Sequence, residues 1–322
     1  MTTGGAPERS DVTATVEPLI TVGVRPLVAP FALMGRRVLL ERPSFEGVAI
    51  AFERCGVPVL RAELDEALRR ARPAREHLLW ITSPWRNPDG WSLESGDAAA
   101  ADTVEQLAEF VREGGILVQN ETYRHFGPPA SAPNGPRTTT DPVQMRGDDA
   151  VGSKARPTGP TRVPGAYVVG SMAKLAGPWS RLGWLLAPAA LPEPLVAHLR
   201  AAAPPTLWQE AWARFAVAGG LDRLAERAAA IGGMTARAAT DFGGAPLGGT
   251  SVLLDVDSAD PVGLLDERYG LRVGGGADFG AGSGRVRLCF LGCGPECDHG
   301  GVEALARSGI ARIAGARRVP AR

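Results

Sequence analysis

Only two lysines occur in this chain of 322 residues, although lysine and arginine together number 35. Lys154 lies in a polar stretch rich in proline and glycine, whereas Lys174 follows an apolar run, residues 166–171, that is typical of a buried strand. Arginine cannot replace a lysine that must lose its proton and attack a carbonyl, because the guanidinium stays charged. Burial lowers the pKa of a lysine, so Lys174 is a candidate Schiff-base nucleophile. The alternative is an incidental surface lysine.

Polar side chains also follow other apolar runs. Asn87 lies in the turn Asn-Pro-Asp-Gly after residues 78–82, and Tyr123 follows residues 115–120. Ligands of parallel sheets bind beyond the carboxyl ends of the strands, so we expect these side chains to lie near Lys174. Taken singly, the turn could be only a turn, and the tyrosine only a core aromatic.

The first part of the chain alternates short β-branched runs with helical patterns. Mostly apolar strands separated by helices indicate a mainly parallel sheet that is covered on both faces. The predicted strands are residues 18–22, 37–41, 57–61, 78–82, 115–120, 166–171 and 182–186. The predicted helices are residues 45–55, 64–71 and 98–113.

From about residue 192 the pattern changes to longer helices and a few strands, which predicts a second, α+β unit. Its predicted helices are residues 194–203, 207–218, 221–239 and 302–314, and its predicted strands are residues 251–256, 271–274 and 286–291. We therefore divide the chain into a disordered N-terminus (1–13), a large domain (14–190) and a small C-terminal domain (191–322). Residues 127–165, rich in glycine, proline and threonine, are predicted to form a long loop insertion.

Composition excludes several classes of protein. The formal net charge is zero, so nothing favours binding to nucleic acid or to a membrane surface. No apolar run reaches the length of a membrane span, and residues 1–12 do not form a signal peptide. Four cysteines in so long a chain suggest a reducing, cytoplasmic location. Cys289, Cys293, Cys297 and His299 depart from zinc-ligand spacing, so we expect packed thiols and no metal.

In this order and at this spacing, the segments resemble fold-type I pyridoxal-phosphate enzymes, specifically the class I/II aminotransferase family. The resemblance extends from about residue 17 to residue 314. It implies an α/β fold in which helices sandwich a mainly parallel seven-stranded sheet, with a smaller α+β C-terminal domain. It also implies pyridoxal 5′-phosphate as cofactor, an amino acid and a 2-oxo acid as substrates, and a homodimer.

The resemblance assigns roles at the reactive end of the cofactor. Lys174 would hold the cofactor as a Schiff base and move protons between substrate and cofactor. Asn87 and Tyr123 would hydrogen-bond the phenolic oxygen of the ring, and Phe45 would stack on the ring. Asn120 stands where the family has an aspartate that pairs with the protonated ring nitrogen.

Other residues would bind the two anionic groups. Ser171 and Arg181 would hold the phosphate, together with the turn that contains Gly23. Arg287 would pair with the α-carboxylate of the substrate, and Arg285 is the competing candidate for that role.

The chain departs from the family in three respects. The first is Asn120: asparagine cannot neutralise a pyridinium, and loss of one partner of a buried charged pair costs about 3–5 kcal/mol. If the transition state bore that cost, the rate would fall by about two to four decades. Glu121 is a poor substitute, because neighbouring strand residues point to opposite faces.

The second departure is the phosphate turn, where Val22 and Val24 replace hydroxyl side chains and Pro26 removes an N–H group. The third is length, because only about twenty residues precede that turn.

Three hypotheses for function follow, because a fold alone does not fix function. The first is an aminotransferase-like enzyme that acts on an amino acid through Lys174. The second is a pyridoxal-phosphate enzyme with elimination or cyclisation chemistry, which tolerates a weaker electron sink. The third is a cofactor-free descendant that serves as a binding module. Lys174 favours the first two, whereas Asn120, Val22 and Val24 favour the third.

Overall fold

The computed structural model describes residues 18–94, 98–128, 162–189, 191, 193–292 and 300–314, and they form two β-sheets. The strands of the first sheet are β1 (Leu19–Thr21), β2 (Arg37–Arg42), β3 (Val59–Glu63), β4 (His77–Thr82), β5 (Ile116–Asn120), β6 (Tyr167–Ser171) and β7 (Gly183–Leu186). Their order is β1-β7-β6-β5-β4-β2-β3, and β7 pairs with β1 and β6 in antiparallel register while the other pairs are parallel. The predicted mainly parallel seven-stranded sheet is therefore confirmed.

Side chains alternate between the two faces of this sheet, as the pleat of a strand requires. On one face, Leu39, Leu79 and Leu117 pack against the helices α3 (Leu64–Arg70) and α4 (Ala98–Arg112). On the other face, a second cluster packs beneath α1 (Val28–Ala32) and α2 (Gly47–Arg54). The residues of this second cluster in the central strands are Val38, Leu40, Leu78, Trp80 and Val118. The apolar runs of the sequence are thus explained by burial on both sides.

The second sheet has four antiparallel strands in the order β11-β8-β10-β9. Its strands are β8 (Ser251–Val256), β9 (Gly274–Gly275), β10 (Arg285–Cys289) and β11 (Ala311–Ile313). The helices of this part are α5 (Glu193–Ala201), α6 (Thr206–Val217), α7 (Gly220–Asp241), α8 (Pro261–Tyr269) and α9 (Gly300–Ser308). A third apolar cluster joins α7, β8 and β10 to Tyr123, Met172 and Leu175 of the first part, so the two sheets share a core beside Lys174.

Several predicted elements were wrong. The last helix does not reach residue 314: it ends at Ser308, Gly309 adopts a φ of 70°, and β11 follows on the edge of the second sheet. The strand predicted at residues 271–274 is reduced to β9, which pairs with Arg287 and Val286. The glycine-rich segment after it forms a short 3₁₀ turn at Gly276–Phe279.

Some predictions fall outside the described residues. The disordered N-terminus predicted at residues 1–13 does so entirely, and the loop predicted at 127–165 does so except for residues 127–128 and 162–165. Within the described ranges, no helix combines the length and the apolar character that a membrane span needs.

Candidate active site

Lys174 lies at the carboxyl edge of the first sheet. It ends the short 3₁₀ turn Met172–Lys174 that follows β6, and Ser171 caps this turn by accepting a hydrogen bond from Ala173 N at 3.0 Å. Met172 and Leu175 are buried in the shared core, so the residues on either side of Lys174 are anchored. The turn therefore holds the lysine at the point where the first sheet meets the second.

The environment of Lys174 suits a nucleophile. Burial lowers the pKa of its ammonium group, and the nearby positive charges of Arg287 and Arg25 lower it further, against an opposing contribution from Cys289. Its Nζ lies 5.9 Å from the centre of the Tyr123 ring. A lower pKa means that more of the amine is uncharged near neutral pH, which is the form that attacks a carbonyl.

Tyr123 is buried beside the lysine. Burial raises the pKa of its hydroxyl to about 12, although the positive charge of Arg287 acts in the opposite direction. The phenol is therefore protonated at neutral pH and can donate a hydrogen bond. Tyr123 and Lys174, which follow different strands in the sequence, thus form one cluster.

Arg287 extends from β10 of the second sheet towards this cluster. Its Nε donates to Ser251 Oγ at 3.1 Å, its Nη2 donates to Cys289 Sγ at 3.2 Å, and its guanidinium lies 5.1 Å from the centre of the Phe279 ring. No carboxylate pairs with Arg287 in the described part of the chain. Its positive charge is therefore available to an anion.

Arg285, the competing candidate, is in a different situation. Its Nε donates to Asp255 Oδ1 at 2.7 Å, across the β8–β10 pair where the two residues face each other. The carboxylate of Asp255 already neutralises this guanidinium. The geometry therefore favours Arg287 over Arg285 as an anion-binding residue.

Asn87 is buried where the two sheets approach each other. Ser251 Oγ lies 3.5 Å from Asn87 Oδ1 and donates a shorter hydrogen bond of 3.1 Å to the carbonyl oxygen of Pro88. Because Ser251 also accepts from Arg287, it links the turn after β4 to the guanidinium on β10. Ser251 was not identified from the sequence, since a serine at the start of a strand has no distinctive pattern.

Gly23 and Ser171 lie face to face at the turn between β1 and the first helical segment. Gly23 has a φ of 130°, a conformation that favours glycine, and a Cβ added there would lie 3.6 Å from Ser171 Oγ. The chain then enters the 3₁₀ turn Arg25–Leu27 and α1 with no side-chain cap at Val24. This turn precedes a helix start, where backbone N–H groups can bind an anion, and Arg25 is exposed beside it.

Two predicted site residues, Arg181 and Phe45, lie outside the cluster of Lys174, Tyr123 and Arg287. Arg181 is exposed and adopts a left-handed conformation with a φ of 45°. Phe45 is 45% exposed, and its ring lies over Gly47, where an added Cβ would overlap Phe45 Cε1. Phe45 follows β2 and Arg181 precedes the antiparallel β7, so both residues border the carboxyl edge of the sheet.

Asn120 ends β5, the central strand of the first sheet. Its neighbours in sequence face the opposite side: Gln119 Oε1 accepts from Val163 N at 2.7 Å, and Glu121 pairs with Arg162 and Arg124. Asn120 therefore lies on the side of Val118 and α1, the helix that follows the Gly23 turn. Glu121 is buried against its own arginine partners and does not substitute for Asn120.

Arg227 of α7 was not identified from the sequence. Its Nη1 donates to the carbonyl oxygen of Leu175 at 2.6 Å, and its Nη2 donates to that of Leu291 at 3.0 Å. It therefore connects the lysine turn to Leu291, two residues after β10 ends. One more arginine on a polar helix surface carries no sequence signal for this role.

The cysteine cluster is only partly described. Cys289 accepts the hydrogen bond from Arg287, whereas Cys293, Cys297 and His299 lie outside the described residues. The described residues contain no group of three or more potential metal ligands.

The chain matches the family model for aminotransferase class I and II over residues 22–299, and it belongs to that family. No curated protein sequence matches it. Among solved structures, it is similar to α-aminoadipate aminotransferase from Thermus thermophilus, solved with N-(5′-phosphopyridoxyl)-L-leucine. The identity is 23% and the TM-score 0.61, over 91% of this chain and 77% of that one.

Two further structures are similar. The multiple substrate aminotransferase from Thermococcus profundus shares 18% identity at a TM-score of 0.65, over 92% of this chain and 75% of that one. The N-succinyldiaminopimelate aminotransferase from Mycobacterium tuberculosis shares 20% identity at a TM-score of 0.61, over 91% of this chain and 76% of that one. At these identities the similarity concerns the fold.

Proposed function

We propose that this protein is a pyridoxal-phosphate-dependent, aminotransferase-like enzyme that moves an amino group between an amino acid and a 2-oxo acid, with the cofactor held as a Schiff base on Lys174. The observation that carries the proposal is the placement of Lys174, whose pKa is lowered by burial, beside Tyr123 and within reach of the charge of Arg287. Family membership supports pyridoxal 5′-phosphate as the cofactor.

The residues present fit this cofactor. The phosphate would lie in the turn at Gly23, where Ser171 Oγ and the positive charges of Arg25 and Arg181 are available. Gly23 matters because a side chain there would fill the space in front of Ser171. Phe45 would have to move from its position over Gly47 to cover the ring.

The ring would extend from that turn towards Asn120. We assign Asn87 and Tyr123 to the phenolic oxygen, because Tyr123 keeps its proton and Asn87 is buried nearby. The bound cofactor supplies an electron sink for charge that develops on the substrate carbon. Everything else in the reaction is provided by the chain.

Arg287 would bind the α-carboxylate of the amino acid. Ser251 and Phe279 hold the guanidinium in place, so little side-chain entropy is lost when the substrate binds. Nη2 exchanges its contact with Cys289 Sγ for the stronger, charge-assisted contact with a carboxylate. The amine of Lys174 would take and return the proton of the substrate carbon.

The second hypothesis, elimination or cyclisation chemistry, is supported by one observation. An amide at position 120 provides no negative charge for the ring nitrogen, which would weaken the electron sink. Transfer of nitrogen from a ¹⁵N-labelled amino acid to an added 2-oxo acid distinguishes the two, because elimination or cyclisation gives no labelled second amino acid.

The cofactor-free hypothesis is tested by incubation with pyridoxal phosphate, reduction with borohydride and peptide mapping. We expect label on Lys174 and none on Lys154. The control pair is Lys174→Arg, which should lose the label and the visible absorption, and Lys154→Arg, which should keep both. A protein that stays colourless and unlabelled at saturating cofactor would exclude both catalytic hypotheses.

We also propose a division into a cofactor domain (14–190) and a small domain (191–322), a cytoplasmic location and a homodimer. The exposed apolar face of α6 and the adjacent turn supports the homodimer: Trp179 is 85% exposed, Leu207 78% and Val217 92%. The described side chains of α6 include none that is fully buried. Large exposed apolar side chains on one helix and the neighbouring turn favour an interaction site. Sedimentation of the protein and of Leu207→Glu tests this.

A further inference from the structure

The orientation of the Asn120 amide is fixed by Thr122. Asn120 Oδ1 accepts two hydrogen bonds, one of 3.2 Å from the backbone N of Thr122 and one of 2.6 Å from Thr122 Oγ1. A backbone N–H group can only donate, so the atom that faces it must be the amide oxygen and not the nitrogen. Both lone pairs of Oδ1 are therefore used within the protein.

The amide nitrogen Nδ2 takes no part in either bond. It carries two hydrogens and no lone pair that can accept, so it can stabilise a neighbouring group only by donating to it. An aspartate at the same place would present a charged acceptor instead. The two side chains have nearly the same shape, yet they favour opposite protonation states of whatever faces them.

No carboxylate next to Asn120 in the chain reverses this preference. Glu121 is on the other face of β5, where Arg162 contacts it through two hydrogen bonds of 2.7 and 2.9 Å and Arg124 through one of 3.0 Å. Its charge is neutralised where it stands.

We propose that Thr122 is a positioning residue that holds Asn120 as a hydrogen-bond donor, so that the cofactor ring nitrogen is bound unprotonated. This inference rests on the proposed function, which places that nitrogen against Asn120. A neutral pyridine ring withdraws less electron density from the substrate than a pyridinium does. The bound cofactor would therefore suit reactions that need only a moderate electron sink. Asparagine at position 120 would then tune the reactivity of the cofactor rather than abolish it.

The test uses cofactor labelled with ¹⁵N at the ring nitrogen, bound to the full-length protein. Borohydride reduction of a parallel sample first establishes that Lys174 carries the cofactor. The ¹⁵N resonance at neutral pH should then have the shift of an unprotonated pyridine, and Asn120→Asp should move it to that of a pyridinium. A pyridinium shift in the parent protein overturns the inference while leaving the proposed function intact. An unlabelled Lys174 overturns both.

Variants of Thr122 test its positioning role separately. Thr122→Val keeps the shape of the side chain but removes the hydroxyl donor. The amide of Asn120 can then rotate by 180° more easily, so that its Oδ1 accepts a hydrogen bond from a protonated ring nitrogen. The pH midpoint of the ¹⁵N titration should rise by about one unit, which is the effect expected of one hydrogen bond. Thr122→Ser keeps the hydroxyl and should retain the parent midpoint. Equal midpoints in all three proteins would show that Thr122 has only a structural role.

Discussion

The guanidinium of Arg227 donates a hydrogen bond of 2.6 Å to the carbonyl oxygen of Leu175, the residue that follows Lys174. A second bond from the same side chain reaches Leu291 at the end of the segment that carries Arg287. One side chain on α7 therefore connects the lysine turn to the segment that carries Arg287.

Arg227→Met should loosen this connection. We expect the free energy of unfolding to fall by about 1–2 kcal/mol, since hydrogen bonds from a charged donor to two carbonyl groups are lost. The affinity for pyridoxal phosphate should fall as well, because the lysine turn becomes more mobile. The control is Arg237→Met, which removes an exposed arginine from the same helix. Denaturant titration and cofactor absorbance measure both effects, and equal losses in the two variants would contradict the assignment.

Substitutions of Arg181 separate phosphate binding from backbone strain. Its φ of 45° costs about 1–2 kcal/mol for a residue with a side chain and little for glycine. Arg181→Ala and Arg181→Gly should both nearly abolish cofactor binding. Only the glycine variant should raise the melting temperature of the cofactor-free protein. If the alanine variant binds the cofactor as the parent does, the phosphate lies elsewhere.

Lys174→Met should stabilise the cofactor-free protein at neutral pH. The pKa of Lys174 is lower in the folded protein than in the unfolded chain. At pH values between these two pKa values, the unfolded chain binds more protons than the folded protein. The free energy of unfolding of the parent therefore increases as the pH rises through this interval. The advantage of the methionine variant should therefore be largest near pH 7 and shrink towards pH 10. Urea titrations across this range measure it, with Lys154→Met as the control. A constant difference at all pH values would mean that the charge of Lys174 is not the cause.

Glu41→Gln should change the pH dependence of stability in the opposite direction. Burial raises the pKa of the Glu41 carboxyl to about 8, although Arg86 acts against the rise, and Oε2 of Glu41 has no hydrogen-bond partner among the described residues. The folded protein binds the extra proton between the ordinary value of 4.5 and about 8. The stability of the parent should therefore fall over this interval, by up to about 1.4 kcal/mol per pH unit.

The glutamine variant should lack that slope, because its amide can still accept from the backbone N of Thr82 without titrating. Glu109→Gln, at an exposed position on α4, should keep the slope of the parent. Melting temperatures between pH 5 and 9 provide the comparison. A slope that survives in Glu41→Gln would have to come from another group.

The first sheet and the placement of Lys174 followed from the sequence because both depend on local patterns: short, continuous apolar runs that are buried on both faces, and one lysine after such a run. The elements of the C-terminal part, from residue 193 onwards, were harder to predict. Helix α8 was missed although Asp260 caps it, Pro261 starts it and Gly270 ends it, since its face is weakly apolar. The strand at Ala311–Ile313 was predicted as helix because an edge strand of three residues has no period to detect.

The supporting residues of the site could not be found in this way. Ser251, Thr122 and Arg227 act through contacts with carbonyl groups or side chains, and two of them act over a separation of more than 35 residues. Nothing in the local pattern of a serine or an arginine specifies such a partner. Their roles depend on how the two sheets pack together.

The shared core around Met172 and Leu175 has a consequence for reactivity. Lys174 belongs to the first sheet by sequence, yet the environment that lowers its pKa includes Arg287 and the core residues of the second sheet. A local opening that separated the sheets would return Lys174 to an ordinary, protonated amine. The lowered pKa of Lys174 therefore depends on the two parts of the chain being packed against each other.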